Sequence, residues 1–529
     1  MATHEHEVLI IGSGFAGLYQ LHRLREAGFD AHVVEAGEDV GGTWYWNRYP
    51  GARCDIDSIE YSYSFDDDLQ QEWEWTERFA AQPEIHRYLR HVADRFDLRK
   101  DITFNTRVQA LEWSETARRW TATTMDGTTR SARFVIAATG NLSVPTQPAF
   151  PGLDDFEGET YSTSRWPEGD VDLSGKRVAV IGTGSSGLQT ITRIARTVGS
   201  LTVFQRTPCF SAPAHNRPIA EDLADAKSRY SEIRENARNA PDGYECHPGT
   251  TALLESDKLD VEKELERRWA DGGLCFGWAF TDLVLDPRAN EVVAEYFRDR
   301  IRSIVADPVV AEKLCPKTYP IFTKRMCVDT GYYEVYNQPN VELVDLREEP
   351  LARVTPRGII AGEREHEFDV IILATGFDAM TGALNAIDIR NGETTLKEKW
   401  AHGPRTYLGL MSAGFPNLFT VTGPQSPSVL SNMVTSIEHH VGFIARALEY
   451  ARAAGYERIE AEPANEDNWV TTTNDLANMT IFPMAASWYM GANVPGKERI
   501  FMPFVGGVGL YKQVTDGVEA GHYHGFAME

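Results

Sequence analysis

The sequence predicts an α/β fold: two Rossmann-like dinucleotide-binding domains carrying a helical insertion. Three observations predict it. VLIIGSGFAGLYQ (8–20) and RVAVIGTGSSGLQ (177–189) each set an apolar strand against a G-x-G-x-x-G turn that opens a helix. Between about 216 and 324 the chain changes to charged segments with helical spacing, and α/β texture resumes after them.

In chain order, EVLIIG reads as a strand, Gly12, Gly14 and Gly17 as the turn, AGLYQLHRLREAG as a helix and AHVVEAG as the second strand. Residues 176–206 repeat that βαβ order around Gly182, Gly184 and Gly187, with Thr183, Ser185 and Ser186 between them. The first glycine makes the tight turn, the second lets backbone approach a pyrophosphate, and the third lets helix pack on strand. RWTATTMDG and SARFVIAATG are expected to form a small sheet closing the first unit, and TQPAFPG a linker. NEVVAEYFRDRIRSIV places Val293, Phe297, Ile301 and Ile304 on one helix face behind an expected Asn290 cap. NVELVDL and DVIILATG then resume the second unit. RTYLGL, NLFTVTGP and the long helix SVLSNMVTSIEHHVGFIARALEYAR leave too few strands for another sheet, so the C-terminal third is expected to complete the first unit.

Composition excludes several classes. The 529 residues, 42% hydrophobic, suffice for several cores, and a net charge of −25 argues against nucleic acid or an anionic membrane as partner. MATHEHEVLII lacks a basic region and a cleavage-like site, so no secretory signal is expected and the cytoplasm is the expected compartment. Cys54, Cys209, Cys246, Cys275, Cys315 and Cys327 show no C-x-x-C pair or metal spacing and are expected to be reduced thiols. No metal is expected.

The two turns differ in what they suit. The same distance past the last glycine reaches Glu35 in the first unit and Gln205 in the second. A carboxylate accepts ribose hydroxyls but repels a 2′-phosphate, whereas Arg206, after Gln205, matches phosphate geometry. The first site therefore reads as FAD or NAD, the second as NADP. A flavin beside NADPH implies hydride transfer, and the lack of a close cysteine pair excludes a disulfide reductase, leaving oxygen as the acceptor.

The stretch GGTWYWNRYPGARCDIDSIEYSYSF (41–65) resembles the segment after the first nucleotide fold of type I Baeyer-Villiger monooxygenases. The resemblance continues through YPIFTKRMCVDTGYYEVYNQPNVELVDL, LATGFDAMTGAL, GPRTYLGL, GPQSPSVLSNM and ASWYMGANVPGK and spans nearly the whole chain. It implies an FAD enzyme that uses NADPH and oxygen to turn a hydrophobic ketone into an ester or lactone, with sulfoxidation as a side activity. GPQSPSVLSNM is more similar to phenylacetone and steroid monooxygenases than to cyclohexanone monooxygenase.

By this resemblance Arg325 is the catalytic cation and Asp55 the acid that pairs with it. Lys324 joins Arg206 at the 2′-phosphate, Arg53 holds the nicotinamide side, Tyr61 contacts the flavin, and Trp44 and Trp46 flank its entrance. Met433 faces the flavin and substrate, and Trp488 closes over NADP. The expected division is an FAD-binding domain in two parts (1–145 and 381–529), a linker with the first NADP-binding part (146–215), the insertion (216–324) and the second NADP-binding part (325–380). The family fingerprint F-x-G-x-x-x-H-x-x-x-W-P appears as FEGETYSTSRWP, with Ser162 where histidine belongs; Ser162 is expected in the linker between the units. Two other classes share part of this pattern: flavin-containing N- or S-oxygenating monooxygenases, and non-oxygenating NADPH oxidases or redox-sensing flavoproteins.

Overall fold

The computed structural model describes residues 4–529. The strand His4–Ile11 lies inside a nine-stranded sheet, flanked in parallel by Ala31–Val34 and Thr129–Ala137. Val8, Leu9 and Ile10 are fully buried. A parallel strand covered on both faces needs such an unbroken apolar run.

RWTATT and SARFVIA do not form a separate small sheet. Arg119–Thr124 and Thr129–Ala137 pair antiparallel, and the latter pairs along His4–Ile11, so both extend the main sheet. The FVIA end is buried against the core while the polar start serves the hairpin. The C-terminal third returns to this sheet through Asp388–Asn391 and Leu418–Thr420. The helix Met433–Ala454 then packs on Phe15–Glu26. It starts at Met433 because the Asn432 side chain caps the Val434 N–H; Ser428–Leu430 is a separate 3₁₀ turn.

The second sheet has five parallel strands in the order Val341–Asp345, Ser200–Gln205, Arg177–Ile181, Val370–Leu373, Glu159–Ser162. Ser162 is thus not a linker residue: it ends the edge strand, opposite Leu373. Strand ends on this side of an open α/β sheet border the ligand crevice.

The inserted helices spread over three cores. Ala220–Asn239 packs with the first sheet, Lys258–Asp271 and Pro287–Ile304 share a core of their own, and Pro308–Leu314 joins the second sheet. Asp286, not Asn290, caps Pro287–Ile304 by accepting the Arg288 N–H; Asn290 is buried and donates to the carbonyls of Leu283 and Ile321. The cysteines depart from expectation as well: Cys246 and Cys275 are joined as a disulfide, while Cys54, Cys209, Cys315 and Cys327 are free. Among the described residues no helix is long and apolar enough to cross a membrane, and no cluster of potential metal ligands forms.

Candidate active site

The two glycine turns are built alike. Gly12 and Gly182 sit at φ of 102° and 110°, open to glycine but strained for other residues. A Cβ on Gly17 would lie 1.8 Å from the Gly12 carbonyl oxygen, and one on Gly187 2.1 Å from that of Gly182. Each ATG segment abuts its own turn, since Ala138 O faces Gly12 and Ala374 O faces Gly182. The helices Phe15–Glu26 and Ser185–Ile194 start without a side-chain cap or an acidic residue in the first turn. Their N-terminal N–H groups are therefore free for an anion, and a Cβ on Gly184 would meet only open space. Gly14 lies against Gly42. These cradles fit the pyrophosphates of two dinucleotides.

Glu35 is fixed beside the first turn. Its Oε2 accepts from the N–H (2.7 Å) and hydroxyl (2.9 Å) of Ser13, and its Oε1 from the Gly37 N–H (2.6 Å). Gln205 does not mirror it. It is fully buried, and its Nε2 donates to Lys313 O (2.8 Å), so it faces the insertion instead of the turn. Arg206 is exposed and lies close enough to Lys324 to act on it; the Lys324 ammonium rests 4.4 Å from the Tyr319 ring centroid. Burial, with Arg206 adding to it, pulls the Lys324 pKa below the usual lysine value. Neither cation has a carboxylate partner among the described residues. Two unpaired cations in so acidic a chain suit a phosphate. Thr183 donates to Thr207 O, and Ser185 Oγ lies 3.5 Å from Cys327 Sγ; Ser186 sits in the first turn of the same helix.

Arg325 and Asp55 meet between the units. Arg325 Nε donates to Asp55 Oδ2 and Nη2 to Oδ1, both at 2.9 Å, while Nη1 donates to Val429 O at 3.1 Å. Burial opposes the charge on Arg325, but Asp55, Tyr489 and Tyr244 outweigh it and push the pKa well above the ordinary arginine value. The segment carrying Asp55 docks on the second nucleotide helix. Tyr49 OH donates to Gln189 Oε1 (2.8 Å), Gln189 Nε2 donates to Arg53 O (3.1 Å), and a Cβ on Gly51 would strike Gln189 O. That docking explains why residues 41–65 read as a dense motif: they join two nucleotide folds.

Other expected residues divide. Trp44 Nε1 donates to Tyr61 OH (3.2 Å), an edge-on pair in the core. Trp46 points elsewhere, under the Arg165 guanidinium, 4.6 Å from its ring centroid. Arg53 Nη1 donates to Glu77 Oε2 and to Phe79 O, both at 2.7 Å, which fastens the segment. Met433 and Trp488 share one apolar cluster with Val429, Leu430 and Tyr489. The loop before Met433 is strained, with Thr422, Gln425 and Ser428 at positive φ. Ser162 Oγ lies 2.9 Å from Ser164 Oγ. Sequence reasoning missed Tyr489 and Tyr244, which act electrostatically on Arg325, and Asp242, which Arg325 acts on in the same way and to which Trp278 donates; the only signal was the adjacency of Tyr489 to Trp488.

The model of the pyridine nucleotide-disulphide oxidoreductase family matches residues 9–236. An acetone monooxygenase (methyl acetate-forming) of Gordonia sp. (strain TY-5) is 41% identical over 100% of both chains. A Baeyer-Villiger monooxygenase of Pseudooceanicola batsensis is 40% identical over 98% of this chain and 95% of its own. This chain belongs to the Baeyer-Villiger monooxygenase family. A solved steroid monooxygenase bound to NADP matches this family member with a TM-score of 0.95 and 48% identity, covering 99% of both chains. The disulphide-reductase model is met through its nucleotide fold, since the second turn carries Ser185 and Ser186 and no cysteine pair lies near the first.

Proposed function

We propose that this enzyme uses NADPH and oxygen to convert a hydrophobic ketone to an ester or lactone. The two-pronged pairing of Arg325 with Asp55, where the two nucleotide units meet, carries the reading. Gly12, Gly14, Gly17 and Glu35 would hold FAD; Gly182, Gly184, Gly187, Arg206 and Lys324 would hold NADP. FAD, when bound and reduced by NADPH, supplies the activation of oxygen.

The chain's own residues supply the rest. Asp55 fixes the guanidinium by both oxygens, so its charge needs no reorganisation when negative charge develops on oxygen during attack on the ketone. The Val429 carbonyl holds the third donor and ties Arg325 to the loop before Met433. Val429, Leu430, Met433 and Trp488 present apolar surface that keeps water out and suits a hydrophobic ketone. Trp488, on a short 3₁₀ turn, would close over NADP as a lid. The expected domain division, with the parts 1–145 and 381–529 sharing FAD and 146–215 and 325–380 sharing NADP, belongs to the same proposal. So does a cytoplasmic location.

The test is incubation of the purified protein with NADPH and a panel of aryl, cyclic and steroid ketones, followed by product analysis. Ester or lactone is expected. A heteroatom oxide alone would favour the N- or S-oxygenating class, and hydrogen peroxide alone the non-oxygenating one.

A further inference from the structure

Three side-chain hydrogen bonds fasten the loop behind Trp488 to the segment that follows the strand Val370–Leu373. Lys497 Nζ donates to Asp378 Oδ1 at 2.6 Å and to the Ala379 carbonyl at 3.2 Å, and Asn493 Nδ2 donates to the Phe377 carbonyl at 2.6 Å. The Lys497 stem lies over the turn that carries Trp488. A Cβ on Gly491, at a φ of 68°, would sit 3.1 Å from Lys497 Cδ. The ion pair is mostly shielded, its side chains only 18% and 26% exposed, so water screens it less than a surface pair.

The segment 374–380 is itself held at both ends. The Ala374 carbonyl faces Gly182 in the second glycine turn, the Gly376 carbonyl accepts the Thr146 N–H at 3.0 Å, and the Asp378 N–H donates to the Val144 carbonyl at 2.8 Å. It thus touches the second nucleotide turn at its start and carries the Trp488 loop further on. Within that loop the N–H groups of Met490, Gly491, Ala492, Val494 and Lys497 donate only to carbonyls between Ser487 and Val494. Such local turns shape a loop without docking it, so the docking falls to Lys497 and Asn493. Resting on the NADP-dependent reading above, we infer that Lys497 and Asp378 are positioning residues whose ion pair latches the Trp488 loop shut over bound NADP. With the pair broken, Trp488 is free to leave the apolar cluster it shares with Val429, Leu430 and Met433, and water enters there.

The experiment follows amide hydrogen exchange of residues 488–498 in the FAD-loaded enzyme with saturating NADP⁺ and no ketone, and measures NADP⁺ affinity by titration. Lys497→Met keeps a stem to cover Gly491 and removes the charge. Exchange in this loop is expected to quicken about 10- to 100-fold, the worth of one hydrogen bond between charged groups, while the strands His4–Ile11 and Arg177–Ile181 exchange as before. NADP⁺ is expected to bind more weakly, and more hydrogen peroxide to form per NADPH when a ketone is supplied. Lys497→Arg, which can reach both acceptors, is expected to restore the native values. Should Lys497→Met fail to fold, Asp378→Asn drops the other charge at nearly equal shape and is read in the same way. Loop exchange or NADP⁺ affinity unchanged from native overturns the inference while leaving the NADP-dependent reading standing. Faster exchange spread evenly over the core strands shows a merely structural role and overturns it too. A native enzyme that binds no NADP⁺ overturns both.

Discussion

Arg325 offers a planar fork to Asp55, and that geometry sets what its loss should do. In Arg325→Ala, flavin reduction by NADPH is expected to stay measurable by stopped flow, since the charge is needed only after oxygen reacts. Ester formation is expected to fall about 100- to 1000-fold, the usual consequence of removing one preorganised donor from a developing anion. Near-native ester formation would remove Arg325 from its proposed role. Arg325→Lys keeps the charge but cannot span both Asp55 oxygens, so an intermediate loss is expected. At this scale the sequence was legible where a side chain acts through a quoted motif: RCDID and TKRM named both partners of the ion pair. It did not foresee the partners of Gln205 and Arg53. Their neighbours in space, Lys313 and Glu77, are brought there by tertiary packing that no local spacing encodes. Asp242 was hidden for the same reason, because Trp278 reaches it from a distant segment.

The second nucleotide turn acts as a unit with the strand end at Arg206 and the loop at Lys324. Both cations lack a carboxylate partner, so a 2′-phosphate would gain two charge-assisted contacts that NADH cannot make. NADPH is expected to be strongly preferred, and Arg206→Ala is expected to raise its KM about tenfold or more, one such contact being worth about 1.5–3 kcal/mol. Equal rates of flavin reduction with NADPH and NADH would sink the assignment. Ser162 belongs to this element too. At the crevice end of the edge strand it is placed to hold the second sheet's orientation, its hydroxyl engaged with Ser164. The native enzyme is expected to make ester with imperfect coupling, and Ser162→His to raise ester formed per NADPH. Peroxide alone from the native protein, with ester only from the variant, would falsify this reading. The sequence misplaced Ser162 because a four-residue edge strand with exposed residues has no apolar alternation to betray it. The two apolar parallel strands that open the units were plain.

For the whole molecule, buried titratable groups of opposite effect decide the response to acid. His440 anchors the C-terminal helix to the strained loop, its Nδ1 accepting the Thr422 N–H at 3.0 Å. Burial first, then His439, lowers its pKa to about 3, and burial lowers that of His439 to about 4. In the unfolded chain both take protons near 6.5, so their stability contribution is full above that pH and is lost as pH falls toward 3. Glu60 works the other way. Burial raises its pKa to about 7, against the hydrogen bond from the Glu245 N–H, so the folded chain takes a proton first and gains stability as pH falls from 7 to about 4.5. Each group is worth about 1.4 kcal/mol per pH unit in its window. Between 6.5 and 4.5 Glu60, together with Asp242, whose pKa burial raises to about 6, offsets most of the loss at His439 and His440; below 4.5 the unfolded carboxylates protonate as well and the offset ends. Because burial also lowers His32, to about 4, thermal unfolding midpoints are expected to decline gradually down to about pH 4.5 and then to drop steeply. Glu60→Gln removes the offset while keeping an acceptor for the Glu245 N–H, so the steep drop is expected to begin nearer pH 6.5. An onset that stays put in Glu60→Gln would show that the carboxylate does not balance the histidines.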